Sequence, residues 1–384
     1  MGLILDYDSN FMKRSLFIII AVVLSLILMG IWIYLLFFAS PDTNNDGADN
    51  FANLDLGDNT PNNPLPPEPE EATVDVVSEE ALRQLTTSPV VGYSSVSRDE
   101  TPYVYYVEAG TGHLFTINLS NGEEERLSGT TFAQIRSADI TPNGDYVMLE
   151  TGFGVGREFV IGVRSSTSNQ YQFSVINEPL VHYTATEDNN FLFTVNLGNQ
   201  LVANLYRPDE QSAEELFVIP FVEAVVDWGP TATSNHLVYP KASARLEGYA
   251  YRVEEGELRR LPIAGRGLTA VGNGDNILYA RQVDKEYATA LYNSRSNSET
   301  NYTPLINTIM DKCAERSTTS QFVCGASNDS LRQDTPDDWY RGEVTYSDDL
   351  WFVDTRDNST SRLVVPSRET GRTLDVYRPE LFTD

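Results

Sequence analysis

The sequence predicts an all-β fold: a six-bladed β-propeller of four-stranded antiparallel blades, preceded by one N-terminal transmembrane helix. Three observations carry this. A strand–turn–strand unit recurs with a spacing of 40 to 46 residues. The second strands of these units are apolar on both faces, as in YVYYV at Tyr103 and FLFTV at Phe191. And the 25 residues Ser15–Ala39 carry no charge.

The N-terminal segment comes first. A bilayer span needs about 20 apolar residues, so 15–39 reads as a transmembrane helix with some tilt. Trp32 and Tyr34 lie towards its outer end, where amphipathic rings favour the interface. Lys13 and Arg14 precede it, and the 43 residues after Ala39 contain neither Lys nor Arg. The positive-inside rule therefore makes 1–14 a short cytoplasmic tail and puts the rest outside the cell. A cleaved signal peptide is the alternative. It would have a shorter apolar run and an A-x-A site, and FFASPD offers no good one.

Residues 40–77 read as a disordered acidic linker. They hold Pro41, Pro61, Pro64, Pro66, Pro67 and Pro69 with many Asn and no base, so little apolar surface offsets the entropy of ordering. Asp42, Asn44 and Asp46 open a calcium-like loop, but its twelfth position is Asn53 rather than Glu. A chance match is the expected reading, and no metal is assigned. Residues 78–87 predict a short helix with Ser78 as N-cap, leading into a propeller ectodomain over 88–384.

The repeat is anchored on its second strands at Tyr103, Tyr146, Phe191, Leu237, Ile277 and Phe322, which lie 43, 45, 46, 40 and 45 residues apart. First strands precede them (VVGYSSV, QIRSADI, LVHYTA, AVVDWG, GLTAV, TIMDKC) and third strands follow (HLFTI, FVIGV, LVANL, YAYRV, TALYN, LWFVD). Fourth strands such as EERLS, ELFVIP, ELRRLPI and SRLVVPS complete most units. Four strands at this period indicate a propeller, because stacked blades cover both faces of their middle strands. A pair of β-sandwiches is the alternative. The final VYRPELFTD reads as a first strand and the start of a turn. It either completes a six-bladed ring or marks a truncated seven-bladed one.

Two features interrupt the series. An insertion at about Asn328–Ser347 separates the second and third strands of the last blade. Loops of this length in compact domains are often functional. Asp337, Asp338, Trp339, Tyr340 and Arg341 within it are the candidate binding residues, with Trp339 and Tyr340 as interface rings. The alternative is that both rings fold back on a blade face. Cys313 and Cys324 sit on the first and second strands of that blade, where a disulfide or two buried thiols would fit.

The best-preserved copy, DITPNGDYVMLE, resembles the repeat of TolB-like (WD-like) β-propellers. The resemblance is loose and covers roughly Ser88 onward. Of the repeat's aromatic positions only Trp228 is kept, and Asp139-Ile140 replaces the usual Ala-Trp. The layout is also similar to membrane-anchored propeller proteins of candidate-phyla bacteria, on LRQLTTSPVVGY, GTGHLF and DTPDDWYRGEVTYSDDLWFVDT. That resemblance implies fold and location and transfers no catalytic residues.

Chemistry is sparse. The net charge of −28 argues against nucleic acid and anionic headgroups. His113, His182 and His236 fall in different units, and with two cysteines they make no zinc spacing. Gly152-Phe153-Gly154-Val155-Gly156 lies between strands, so it reads as a turn rather than a phosphate loop. No G-x-S-x-G elbow exists. No catalytic residue or cofactor is assigned. The expected function is a non-enzymatic binding or scaffolding module in the cell envelope: a single-pass membrane protein with a protein or glycan partner outside. The alternative is an extracytoplasmic carbohydrate-active hydrolase or lyase with acids at the propeller channel.

Overall fold

Alternating apolar residues decide how the strands pack. In Tyr146–Thr151, Val147 and Leu149 point into one apolar cluster and Tyr146 and Met148 into the next. In Asn276–Val283, Ile277 and Tyr279 face one side and Leu278 and Ala280 the other. Each middle strand therefore feeds two interfaces, the condition for a blade held between neighbours. A computed structural model describes residues 82–98, 100–284, 286–301, 306–316 and 320–381. The expected anchor at 15–39 with Lys13 and Arg14, the linker with Asp42, Asn44 and Asp46, and the start of the expected 78–87 helix lie outside them. Residues 82–87 form no helix, and none among the described residues is long and apolar enough to cross a membrane.

The strands group into six four-stranded sheets, each a sequential antiparallel meander. Blade one is β1 (Val90–Arg98), β2 (Thr101–Glu108), β3 (Leu114–Asn118) and β4 (Glu124–Ser128). Blade two runs from β5 (Ile135–Ile140) through β6 (Tyr146–Thr151) and β7 (Glu158–Arg164) to β8 (Tyr171–Ile176). Blade three holds β9 (Leu180–Ala185), β10 (Phe191–Asn196), β11 (Leu201–Arg207) and β12 (Ser212–Ile219). Blade four holds β13 (Ala224–Asp227), β14 (Leu237–Pro240), β15 (Glu247–Glu254) and β16 (Glu257–Arg266). Blade five holds β17 (Thr269–Val271), β18 (Asn276–Val283), β19 (Glu286–Asn293) and β20 (Ser298–Asn301). Blade six holds β21 (Cys313–Glu315), β22 (Gln321–Ser327), β23 (Asp348–Asp354) and β24 (Ser359–Val364). The first strands of all six blades line one central channel. This is a six-bladed propeller.

Turn chemistry sets the registers. Gly144 takes φ 63, and its amide donates to Thr141 O at 2.7 Å, closing the Pro142–Asp145 turn between β5 and β6. The Gly152–Gly156 run is a turn as well, a short 3-10 piece at Gly154–Gly156 between β6 and β7. Cys313 pairs directly with Cys324 across β21 and β22, and the two are joined by a disulfide.

Five apolar clusters seal five interfaces in order: blades one and two, two and three, three and four, four and five, five and six. Among the described residues no such cluster joins blade six to blade one. Every blade is built from its own consecutive strands, so no exchanged strand closes the ring either.

The C-terminal segment corrects one expectation. It supplies no first strand, and the six blades are complete without it. Residues 373–381 carry no ladder. Arg378 sits at φ 46, directly before Pro379, which has no amide to donate. Instead the segment leaves β24, makes a helical turn at Pro366–Thr370, and runs into the channel at the seam between blades six and one.

Candidate functional site

The channel is a cavity of about 690 Å³. Four of its acids sit on or beside the inner strands: Asp139 lies in β5, Asp227 ends β13, Glu315 ends β21 and Asp311 shortly precedes β21. Two of these carboxylates bond to a neighbouring blade. Asp227 Oδ2 accepts from the Gly272 amide of blade five at 2.9 Å. Glu315 Oε2 accepts from the Asn273 amide of the same blade at 2.6 Å. Asp139 lies beside Thr184 and Ala185 of blade three, which favour its charged form.

Tyr377, Arg378, Pro379, Glu380 and Leu381 share this space. The Arg378 amide donates to Asp311 O of blade six at 3.4 Å, and Tyr93 of blade one donates its hydroxyl to Arg378 O at 2.6 Å. Glu380 lies near the Ser95 amide of blade one, which favours its charged form. The segment thus bonds both sides of the seam. Val376 lies on Gly325 of β22, where a Cβ would sit 2.3 Å from Val376 Cβ, so only glycine admits it there.

Where the segment enters, Lys312 is buried, with 2% of its side chain exposed. Its ammonium donates to Asp348 Oδ2 at 2.7 Å and to Asp375. Burying a charge costs several kcal/mol unless it is paired, and here both partners are supplied. The same Asp348 oxygen accepts from the Val376 amide at 2.8 Å, and the Asp348 amide donates to Leu374 O at 2.9 Å. The Trp339 and Tyr346 rings lie 5.3 and 4.9 Å from Lys312 Nζ.

The insertion residues are placed by these contacts. Trp339 and Tyr340 occupy a helical turn, Asp337–Tyr340, and both are half-buried. Trp339 Nε1 donates to Asp375 Oδ2 at 3.0 Å. Tyr340 donates its hydroxyl to Asp311 Oδ2 at 3.0 Å, and burial raises its pKa well above the usual tyrosine value. Their polar ends therefore point into the propeller. Asp337 accepts from the Ala244 amide of blade four at 2.6 Å. Asp338 and Arg341 pair with each other at 2.5 Å, and Arg341 also meets Glu343 at 2.8 Å near the surface.

Enclosure shifts the channel acids. Desolvation pushes Asp139 up to about 6, opposed by the nearby Arg378 charge. Desolvation pushes Asp227 up to about 7, opposed by its bond from Gly272. Glu380 rises to about 8 through desolvation and the neighbouring Asp139, although channel water still reaches its side chain. Burial lowers the pKa of both His182, in the channel, and His236. His236 Nδ1 accepts from the Gly229 amide at 3.0 Å, a structural role.

A second surface was not singled out from the sequence. In a four-stranded meander the loops between strands two and three emerge at the same end as the blade-to-blade connections. Phe153, Leu197 and Leu246 occupy these loops in blades two, three and four, and are 60%, 57% and 71% exposed. Arg136 covers the Phe153 ring at 4.9 Å. The insertion and the entry of the C-terminal segment lie at the same end.

No family model matches the chain, and no curated protein does. Among solved structures it is similar to the β-propeller domain of the Trilobed protease from Pyrococcus furiosus. The identity is 12%, over 72% of this chain and 86% of that one, at a TM-score of 0.44. It is similar to TolB from Acinetobacter baumannii at 10% identity, over 68% of this chain and 63% of that one, at a TM-score of 0.41. It is similar to an acylaminoacyl peptidase from Pyrococcus horikoshii at 9% identity and a TM-score of 0.45. That match spans 70% of this chain and 45% of the peptidase, less than half of its length. The propeller assignment rests on the six sheets themselves.

Two predictions follow from the channel. Lys312→Met leaves Asp348 and Asp375 without their cation, and breaking a buried pair costs about 3–5 kcal/mol. Urea unfolding should show that loss, whereas Arg341→Met at the surface should stay within about 0.5 kcal/mol of the parent. The pH dependence has a defined sign. Asp139, Asp227 and Glu380 hold protons more tightly folded than unfolded. Their contribution is complete below about pH 4 and is lost as the pH rises towards about 8. The urea midpoint should therefore fall between pH 5 and pH 8, and Asp139→Asn/Asp227→Asn/Glu380→Gln should flatten that fall.

Proposed function

We propose that this chain is a binding propeller of the cell envelope, held at the membrane by 15–39 and displayed outside on the 40–77 linker. Its partner is a protein that docks on the end carrying the loops between strands two and three. The observation that supports this reading is the set of apolar tips at that end, Phe153, Leu197 and Leu246. Large exposed apolar side chains on three consecutive blades at one end suit a protein contact. The channel is less suited to catalysis, because its Asp227 and Glu315 carboxylates are committed to blade-to-blade hydrogen bonds. Arg378 and Glu380 of the same chain also stand inside it.

One observation favours the hydrolase reading. Burial raises Asp139 to about 6 and Asp227 to about 7, towards the range in which a general acid works.

One experiment separates the two. The 76–384 unit, a compact body in itself, is immobilised and exposed to an envelope extract of the source organism. The binding reading predicts specific protein recovery that Phe153→Ser/Leu197→Ser/Leu246→Ser abolishes and Asp227→Asn leaves intact. Recovery unchanged by the triple variant contradicts it. Release of reducing sugar from envelope polysaccharide that Asp227→Asn abolishes establishes the hydrolase instead.

A further inference from the structure

Lys312, Asp348, Asp375 and Trp339 make an arrangement that a structural ion pair does not require. The amine and Asp348 are shut away from water, with 2% and 0% of their side chains exposed. Asp375 is 21% exposed. Two carboxylates face one ammonium, so the cluster keeps an uncompensated negative charge in a low-dielectric site, where such charge is costly. Asp348 Oδ1 is buried with no hydrogen-bond partner, so nothing on that side holds this carboxyl in its charged form. Burial also raises its affinity for a proton. Trp339 Nε1 donates to both oxygens of Asp375, at 3.2 and 3.0 Å.

We infer that Lys312 and Asp375 condense to an amide, a covalent link between blade six and the C-terminal segment. Each neighbour has a part. Asp348, 2.7 Å from Lys312 Nζ, takes a proton from the ammonium and frees the amine. The amine attacks Cγ of Asp375. Trp339 Nε1 stabilises the oxygen that gains charge in the tetrahedral intermediate. Asp348 passes the nitrogen's protons to the other Asp375 oxygen, which leaves as water. The balance closes without an outside reagent: an ammonium and a carboxylate become an amide and one water, and Asp348 returns to its starting state.

Two forces favour the product. Reacting groups held in contact gain an effective concentration on the order of 10⁵ M or more. The reaction also removes one buried cation and one buried anion, leaving a single carboxyl on Asp348. Trp339 acquires a role as well, as a donor to the reacting carboxyl rather than a partner-facing ring.

The test uses the full chain, extracted in detergent, reduced, and digested with trypsin. A branched peptide joining Ser296–Arg316 to Thr373–Asp384 is expected, lighter by about 18 Da than the two peptides summed, the mass of the water lost. Asp375→Ala should abolish it, and Asp348→Asn should suppress it while the fold, read by circular dichroism, is kept. Linear peptides with cleavage after Lys312 in the folded parent chain would overturn the inference, and that reading stands even if a variant fails to fold.

Discussion

The placement of buried Lys312 against Asp348 and Asp375 is the contact on which the closed ring depends. Blade stacking explains five of the six interfaces, each sealed by its own apolar cluster. Such packing is non-directional and needs only apolar faces of about the right size. At the sixth, polar bonds take over. Lys312 fixes Asp375, Asp348 takes the amide of Val376, and Arg378 beyond them accepts from Tyr93 of blade one. The insertion is fixed to the same point through Trp339. One buried lysine side chain therefore organises the C-terminal segment, the insertion and the last blade together.

The channel follows the same logic. Its acids suggest a site by composition, yet the bonds of Asp227 and Glu315 run to amides of the next blade. A carboxylate accepting a backbone N–H is a short, strong link. At the inner strands, where the ring is narrowest and side chains are few, such links join blades that apolar contact joins further out. Their raised pKa values then report enclosure, and they make the ring sensitive to pH whether or not the channel binds anything.

Much of the fold was legible in the sequence because the second strands of the blades must be apolar on both faces. Tyr103, Tyr146, Phe191, Leu237, Ile277 and Phe322 all lie on second strands. The fourth strands of blades two and five, Tyr171–Ile176 and Ser298–Asn301, gave no such signal, since outer strands meet water and tolerate polar residues. VYRPELFTD resembled a first strand because its apolar residues and its Pro matched the copy at IRSADITP. Pairing, which sequence does not display, was missing, and the left-handed Arg378 before Pro379 interrupts an extended run there. Lys312 was illegible for a different reason. Its partners lie 36 and 63 residues away, and nothing local in TIMDKC distinguishes a buried lysine from a surface one. Trp339 and Tyr340 were conspicuous by type, but an aromatic ring's direction depends on what its polar end can reach. Here that is Asp375 and Asp311.

The central claim is that the C-terminal segment, held at Lys312, closes the ring between blades six and one. Amide hydrogen exchange on a chain ending at Arg372 tests it directly. The account predicts faster exchange in β1 and in β21–β22 beside the seam, with β10 and β14 in the sealed half unchanged. Equal protection in all four regions, with and without the segment, would contradict it.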